Sequence, residues 1–444
     1  MVRAVPAIRR APHEFLAGLA RRYGGTAAIP LPRTPVLVLH DPAGVRRVLV
    51  ENARAYGKAT IQYTALATVT GAGLLASDGA TWRRHRRTVQ PAFHHGSLAD
   101  VARATTRAAT RMRAEIAARP AGTPVEVLDL ASRASLEVVG HTLAAADLSG
   151  IAQRLVDAVG RALELVVGRA QSPVPGSWPT PAKAALRRAV ATIDEACAQI
   201  LADRRERADA EGGDEDGAAD VVGLMLAAGL SDQEVRDELV TFVVAGHETV
   251  ASSLTWTLDL LARNPGVQAR LHAELAAVLG PPGASREPGW DDLAHLGYAR
   301  AVVDESLRLF PPAWAITRRA LADDVVAGVP VPAGTLVIIS TWALHRDPAV
   351  WEEPEEFRPE RFLDGTRRDL AYAPFGAGPR LCIGRDLALV EEVLVLASLL
   401  RDQRVRPVPG DRPAVEALVT LRPRNGLRLV VEPLPRTGTD GPGR

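Results

Sequence analysis

Only two cysteines, Cys197 and Cys382, occur in the 444 residues. They supply no disulfide framework and suit a reducing compartment. Aromatic residues make up just 4% of the chain, so any pocket is expected to be lined mainly by Ala, Val, Leu and Ile. The formal net charge of +1 gives no global attraction to nucleic acid or to an acidic membrane. No run approaches the ~18 uncharged apolar residues that a membrane span needs. The first ten residues carry Arg9 and Arg10 with no signal-type apolar stretch behind them. A cytoplasmic protein is expected, with no membrane anchor, no nucleic-acid partner and a monomeric state. Internal repeats are not evident. The apolar content of 47% is nevertheless enough for a substantial core.

One of the two cysteines sits in the most informative stretch, Ala373-Pro374-Phe375-Gly376-Ala377-Gly378-Pro379-Arg380-Leu381-Cys382-Ile383-Gly384. An apolar, helix-like run follows at once, through Leu387, Leu389, Val390, Val393 and Leu394. Sulfur at a helix mouth meets unpaired N–H groups and the positive end of the dipole, both of which favour thiolate. Glycines let the backbone fold tightly around it. Such a loop suits a thiolate held against a large flat group, and a thiolate-ligated haem iron fits. Cys197, among Ile193, Ala196, Ile200 and Leu201 at helical spacing, reads as core.

A second stretch lies inside a long helical run. Ser231 and Glu234 form a capping box at its start, and the run continues to Asn264-Pro265, a rod of roughly 50 Å. In its middle stands Ala245-Gly246-His247-Glu248-Thr249. Glycine costs about 1 kcal/mol against Ala inside a helix, so Gly246 implies close approach of a flat cofactor or of dioxygen. Ala245, Glu248 and Thr249 share one side of the helix. A carboxylate beside a hydroxyl could deliver the two protons that cleavage of an O–O bond requires. Thr249 could also bond back to the carbonyl of Ala245.

Three further patterns accompany these. Trp82 and Arg86 stand at i, i+4 in Trp82-Arg83-Arg84-His85-Arg86-Arg87. Glu305 and Arg308 stand at i, i+3, and Phe357-Arg358-Pro359-Glu360-Arg361-Phe362 follows. Between them comes Pro311-Pro312-Ala313-Trp314-Ala315-Ile316-Thr317-Arg318.

With these motifs in this order, nearly the whole chain resembles the cytochrome P-450 monooxygenases. The resemblance implies a mainly α fold with a minor β lobe, spanning residues 1–432 as one haem-thiolate domain. The β parts are expected near 26–57, 314–340 and 413–432, with a disordered tail over 433–444. It implies Cys382 as axial ligand of haem b, and Arg380, Arg318, Trp82 and Arg86 as partners of the haem propionates. It also implies Phe375, Gly376 and Gly384 of the loop as cofactor-binding residues. Glu305, Arg308 and Arg361 would form a buried network supporting it. Ala245, Gly246, Glu248 and Thr249 would activate O2. The implied substrate pocket draws on Tyr63, Leu66, Val69, Leu74, Phe242, Ala245, Trp314, Ala315, Ile316 and Val419.

The remaining chain is read as follows. Helix 13–23 precedes strands 26–31 and 35–40, and Asp41-Pro42 caps a helix that turns Val45, Val48 and Leu49 inward. Residues 98–165 are helical, with breaks near 120–124 and 149–150. Residues 168–181, with Trp178, form a Pro- and Gly-rich loop, and 209–220 an acidic linker. Strands cover 325–331 and 335–340, and residues 417–421 make a hairpin tip. Arg83, Arg84 and Arg87 are either a solvated face or a basic patch for an acidic ferredoxin.

The implied reaction inserts one oxygen atom of O2 into a hydrophobic molecule. A fused flavin reductase is not expected at this length, so NAD(P)H would supply electrons through ferredoxin and its reductase. The chain is also similar to bacterial oxidases of terpene hydrocarbons, making a terpenoid the first substrate class, then a fatty acid or polyketide. The rivals are a non-oxygenating haem-thiolate sensor of gas or haem and a peroxide-driven peroxygenase. The acid–alcohol pair, which neither needs, weighs against both.

Overall fold

The computed structural model describes residues 8, 10–29, 34–120, 122–144, 149–170, 180–210, 220–363 and 369–435. Its axis is the helix Asp232–Arg263, 32 residues that begin at a complete Ser231/Glu234 capping box. At ~1.5 Å per residue the rod is ~48 Å long. Two apolar cores share it. Val235, Leu239 and Val243 pack with the helices Ser149–Ala170 and Pro181–Ala210. Val250, Leu254 and Leu258 pack with the helices His95–Ala117, Val127–Ala144 and Arg385–Leu400. Cys197 is buried in the first core, where desolvation pushes its thiol up to about 12, so it is an inert core residue.

The β structure is small. A five-stranded sheet runs Thr26–Ile29, Val36–Leu39, Leu336–Ile339, Ile316–Ala320, Tyr56–Gly57. Val36–Leu39 pairs in parallel with Leu336–Ile339, and the other neighbours are antiparallel. A three-stranded sheet places Arg428–Pro433 between Pro124–Glu126 and Gln403–Pro407. Gln403–Pro407 and Pro124–Glu126 lie outside the ranges expected for strands. Each is too short to carry an alternating pattern, and pairing with Arg428–Pro433 makes them strands.

The single strand expected over 325–331 is two. Ala327 and Gly328 both take positive φ, 49° and 77°, the pair of left-handed residues a tight hairpin turn needs. Asp324–Val326 therefore folds back on Val329–Val331. Asp41 caps its helix as expected, accepting from the N–H groups of Ala43 and Gly44 at 3.2 and 2.6 Å. Of the loop expected over 168–181, residues 168–170 end a helix and Pro181 begins the next. Residues 171–179, with Trp178, lie outside the described residues, as do 211–219 of the acidic stretch and 436–444 of the tail.

Candidate active site

The cysteine loop is pinned by its own backbone. The Cys382 N–H donates to the Phe375 carbonyl at 3.0 Å, and Gly376 and Gly378 take left-handed φ of 69° and 67°. A Cβ on Gly378 would lie 1.9 Å from the Leu49 carbonyl oxygen, so only glycine fits. Gly384 is different, because a Cβ there would meet only the edge of Phe93 at 3.9 Å.

Six hydrogen bonds carry this loop round to the central helix. Arg86, on the helix Gly79–Val89, donates to the Leu381 carbonyl at 2.9 Å. Arg380 pairs with Asp78, donates to the Ser77 carbonyl at 3.0 Å and lies 4.2 Å over the Trp82 ring. Residues 71–78 then run back to the central helix, where the Ala72 N–H donates to Asp237 at 2.7 Å. On the far side, Trp314 donates to the Leu418 carbonyl at 3.0 Å, at the tip of the hairpin Val415–Ala417/Leu421–Pro423. Thr420 of that tip donates to Glu248 at 2.7 Å. Ile316 closes the circuit beneath Gly376, its Cδ1 being 3.6 Å from where a Cβ would stand.

Cys382 and Ala245 both have accessible surface. Burial pushes the Cys382 thiol up, opposed by the Gly384 N–H and the charge of Arg86. The helix-mouth effect expected from the sequence is present but smaller than desolvation.

Four cations cluster beside the cysteine loop. Lys58 and Arg318 are buried, Arg86 and Arg380 half-buried. Desolvation, then repulsion from Arg318 and Arg380, drives Lys58 well below its ordinary value. Among the described residues Arg318 donates only to its neighbour's carbonyl, Thr317, at 2.9 Å, while Arg319 is exposed. Asp78 is the carboxylate that faces the group. Buried like charges at this density call for an anion with several oxygens. The doubly carboxylated edge of a haem, above a thiol, fits that need. Sequence reading overlooked Lys58; its signal was its rarity, one of two lysines among 53 basic residues.

The central helix departs from expectation at two places. A Cβ on Gly246 would sit 3.0 Å from Val139 Cγ2, so this glycine admits the neighbouring helix Val127–Ala144 rather than a cofactor. Glu248 and Thr249 do not meet. The Thr249 hydroxyl donates to the Ala245 carbonyl at 2.5 Å, the back-bond foreseen, whereas Glu248 binds Thr420 and lies 3.8 Å from Arg422. Glu248 also borders a cavity of about 180 Å³ with His247, Ser252, Val419 and Arg422. His247 is held neutral there, pushed down to about 4 by burial.

The other expected pocket residues divide. Tyr63, Trp314, Ala315 and Ile316 are partly accessible, while Leu66 and Leu74 are nearly buried. Val69 is fully buried and packs the interior, while Phe242 is nearly buried and stacks on Phe93 at 5.6 Å. Val419 borders the cavity beside Glu248. Arg84 cannot belong to a free basic patch, being paired with Glu234; Arg83 and Arg87 are exposed.

Behind the loop, Arg308 grips Glu305 with two bonds of 2.7 and 2.8 Å, and Arg361 adds a third at 3.2 Å. Glu305 and Arg308 are fully buried. His345 extends this network. Its Nε2 accepts from the Ala373 N–H at 2.9 Å, which leaves Nδ1–H to donate to the Arg308 carbonyl at 3.2 Å. Burial pushes His345 down to about 3, so a neutral ring ties the network to the first residue of the cysteine loop.

Comparisons with known proteins agree with this geometry. The family model described as cytochrome P450 matches residues 2–428. Cyclooctatin synthase of Streptomyces melanosporofaciens is 36% identical over 441 residues, 96% of this chain and 92% of that protein. Pentalenene oxygenase of Streptomyces avermitilis is 31% identical, with coverages of 95% and 92%. The crystal structure of CYP175A1 from Thermus thermophilus superposes with a TM-score of 0.79 at 30% identity, covering 96% of this chain and 97% of that one. No helix among the described residues is long and apolar enough to cross a membrane. The match over almost its entire length means that the chain belongs to the cytochrome P450 family.

Proposed function

We propose that this cytochrome P450 monooxygenase oxidises a terpenoid, drawing electrons from NAD(P)H through a ferredoxin and its reductase. What supports the site assignment is the ring of contacts together with the clustered cations, and we read the space between them, Cys382 and Ala245 as the haem and substrate site. Cys382 would hold the haem iron, with Lys58, Arg86, Arg318 and Arg380 holding its carboxylates. When bound, haem supplies the binding and reductive activation of O2. The chain's own part is to orient the substrate against aliphatic walls, exclude water and manage protons. Thr249 holds a hydroxyl at the Ala245 carbonyl, and Glu248 accepts from the Thr420 hydroxyl beside Arg422. Two relatives support the substrate class, one named for pentalenene and one for cyclooctat-9-en-7-ol.

The test is the carbon monoxide difference spectrum of the dithionite-reduced protein. A strongly red-shifted Soret band that disappears in Cys382→Ala is expected; a histidine-type band, or retention in the variant, overturns the assignment. Titrating the oxidised protein with terpene and fatty-acid panels then reads the substrate class as a low-to-high-spin shift. Product formation with peroxide but not with NAD(P)H and redox proteins would replace the monooxygenase scheme by the peroxygenase one.

A further inference from the structure

Residues 71–78 are strung between the two halves of the site. Their C-terminal end is tied to the cysteine loop through Arg380, and Lys58 Nζ donates to the Leu75 carbonyl at 2.6 Å. Their N-terminal end is fitted to the central helix with unusual closeness. A Cβ on Gly71 would fall 2.1 Å from Asp237 Oδ1, and one on Gly73 2.2 Å from Thr241 Oγ1. Two glycines two residues apart are thus hollowed out for two side chains one turn apart. Gly71 also takes a left-handed φ of 61°.

The ionic partners are arranged around the same point. Asp237 is buried and accepts from the Ala72 N–H at 2.7 Å and from Gln233 at 2.8 Å. Arg236 donates to the Val69 carbonyl at 2.9 Å, in the last turn of the helix Ile61–Thr70. The same guanidinium meets Asp237 at 3.1 Å and Asp194, on the helix Pro181–Ala210, at 2.8 Å. Thr241 is one turn before Ala245, whose side chain is accessible.

We infer that Arg236 and Asp237 form a latch that fixes residues 71–75 as one wall of the site and thereby sets which ligand shapes it admits. They are positioning residues: they hold the segment that runs between the cation cluster and the central helix. Asp237 is buried while Ala72 is exposed, so parting them would leave the carboxylate short of a charge-assisted hydrogen bond in the interior. Arg236 adds a bracket across three helices, so the wall, the central helix and Pro181–Ala210 hold one spacing. The inference rests on reading the space between Cys382 and Ala245 as the ligand site.

The test uses the haem-loaded protein and the variants Asp237→Ala, Asp237→Asn and Arg236→Gln. Amide exchange at Ala72 should rise tenfold or more in Asp237→Ala. In Asp237→Asn, which keeps an acceptor oxygen, the rise should stay within about threefold. Imidazole and 4-phenylimidazole serve as a small and a bulky probe, read by their spectral shifts. The ratio of their dissociation constants should change at least threefold in Asp237→Ala and Arg236→Gln, with the carbon monoxide band unmoved. Unchanged exchange at Ala72 in both variants overturns the latch. Faster exchange with an unchanged probe ratio overturns its effect on ligand shape. A wild-type protein blind to imidazole would refute the underlying site assignment instead, a result distinct from either.

Discussion

Glu392 lies on the helix that follows the cysteine loop, fully enclosed, with the Ser253 hydroxyl donating to it at 2.8 Å. Burial, with Asp304 adding to it, pushes its carboxyl from the ordinary 4.5 to about 8. It is therefore a neutral acid in the folded protein at pH 7, whereas the unfolded chain ionises it. Folding must take up a proton. Because the folded value is raised, the stability is complete below pH 4.5 and is lost as pH rises through 8. At about 1.4 kcal/mol per pH unit, the loss accumulated by pH 7 is ~3 kcal/mol. Glu392→Gln has nearly the same shape, keeps an acceptor for Ser253 and cannot ionise. It should raise the unfolding free energy by ~1–3 kcal/mol at pH 7, with no gain near pH 4.5. Side-by-side denaturant unfolding at both pH values, followed by far-ultraviolet circular dichroism, measures the difference. An equal effect at the two pH values would show that the acid is solvated or paired, and the reasoning would fail.

Gly378→Ala should cost at least ~2 kcal/mol, from left-handed strain and the collision with the Leu49 carbonyl, and should impair haem retention. Gly384→Ala, with room for its methyl, should melt like the wild type; equal behaviour of the two variants would contradict the loop geometry. Glu305→Gln leaves two buried guanidinium groups without their carboxylate and should destabilise by ~3–5 kcal/mol, seen as a lowered melting temperature. Thr249→Ala removes a hydroxyl bonded only within its own helix turn, so stability should change by less than ~1 kcal/mol. The same variant should divert reducing equivalents to peroxide, and unchanged coupling would remove Thr249 from proton management.

The legible parts of this molecule were those in which a local rule operates. The Ser231/Glu234 box predicts where the central helix begins, and the structure begins it there. The apolar spacing around Cys197 predicts a core position, which it has. What stayed hidden depends on partners distant in sequence. Gly246 looked like a concession to a ligand because its neighbour Val139 lies more than a hundred positions away. Glu248 and Thr249, adjacent in sequence, invited a reading as one device. Their side chains nonetheless go to different places, because a helix turns 100° per residue and the hairpin tip at Thr420 offers a closer hydroxyl. Lys58 carries no motif at all. Only the convergence of Arg86, Arg318 and Arg380 on the same space gives its burial a meaning. A cluster of like charges is invisible to any window of sequence, yet in the fold it is the strongest demand for an anionic partner. That demand rests on electrostatics alone, so replacing Lys58 by Met should relieve the repulsion and stabilise the haem-free protein while weakening haem retention. A purely structural lysine would lower both together.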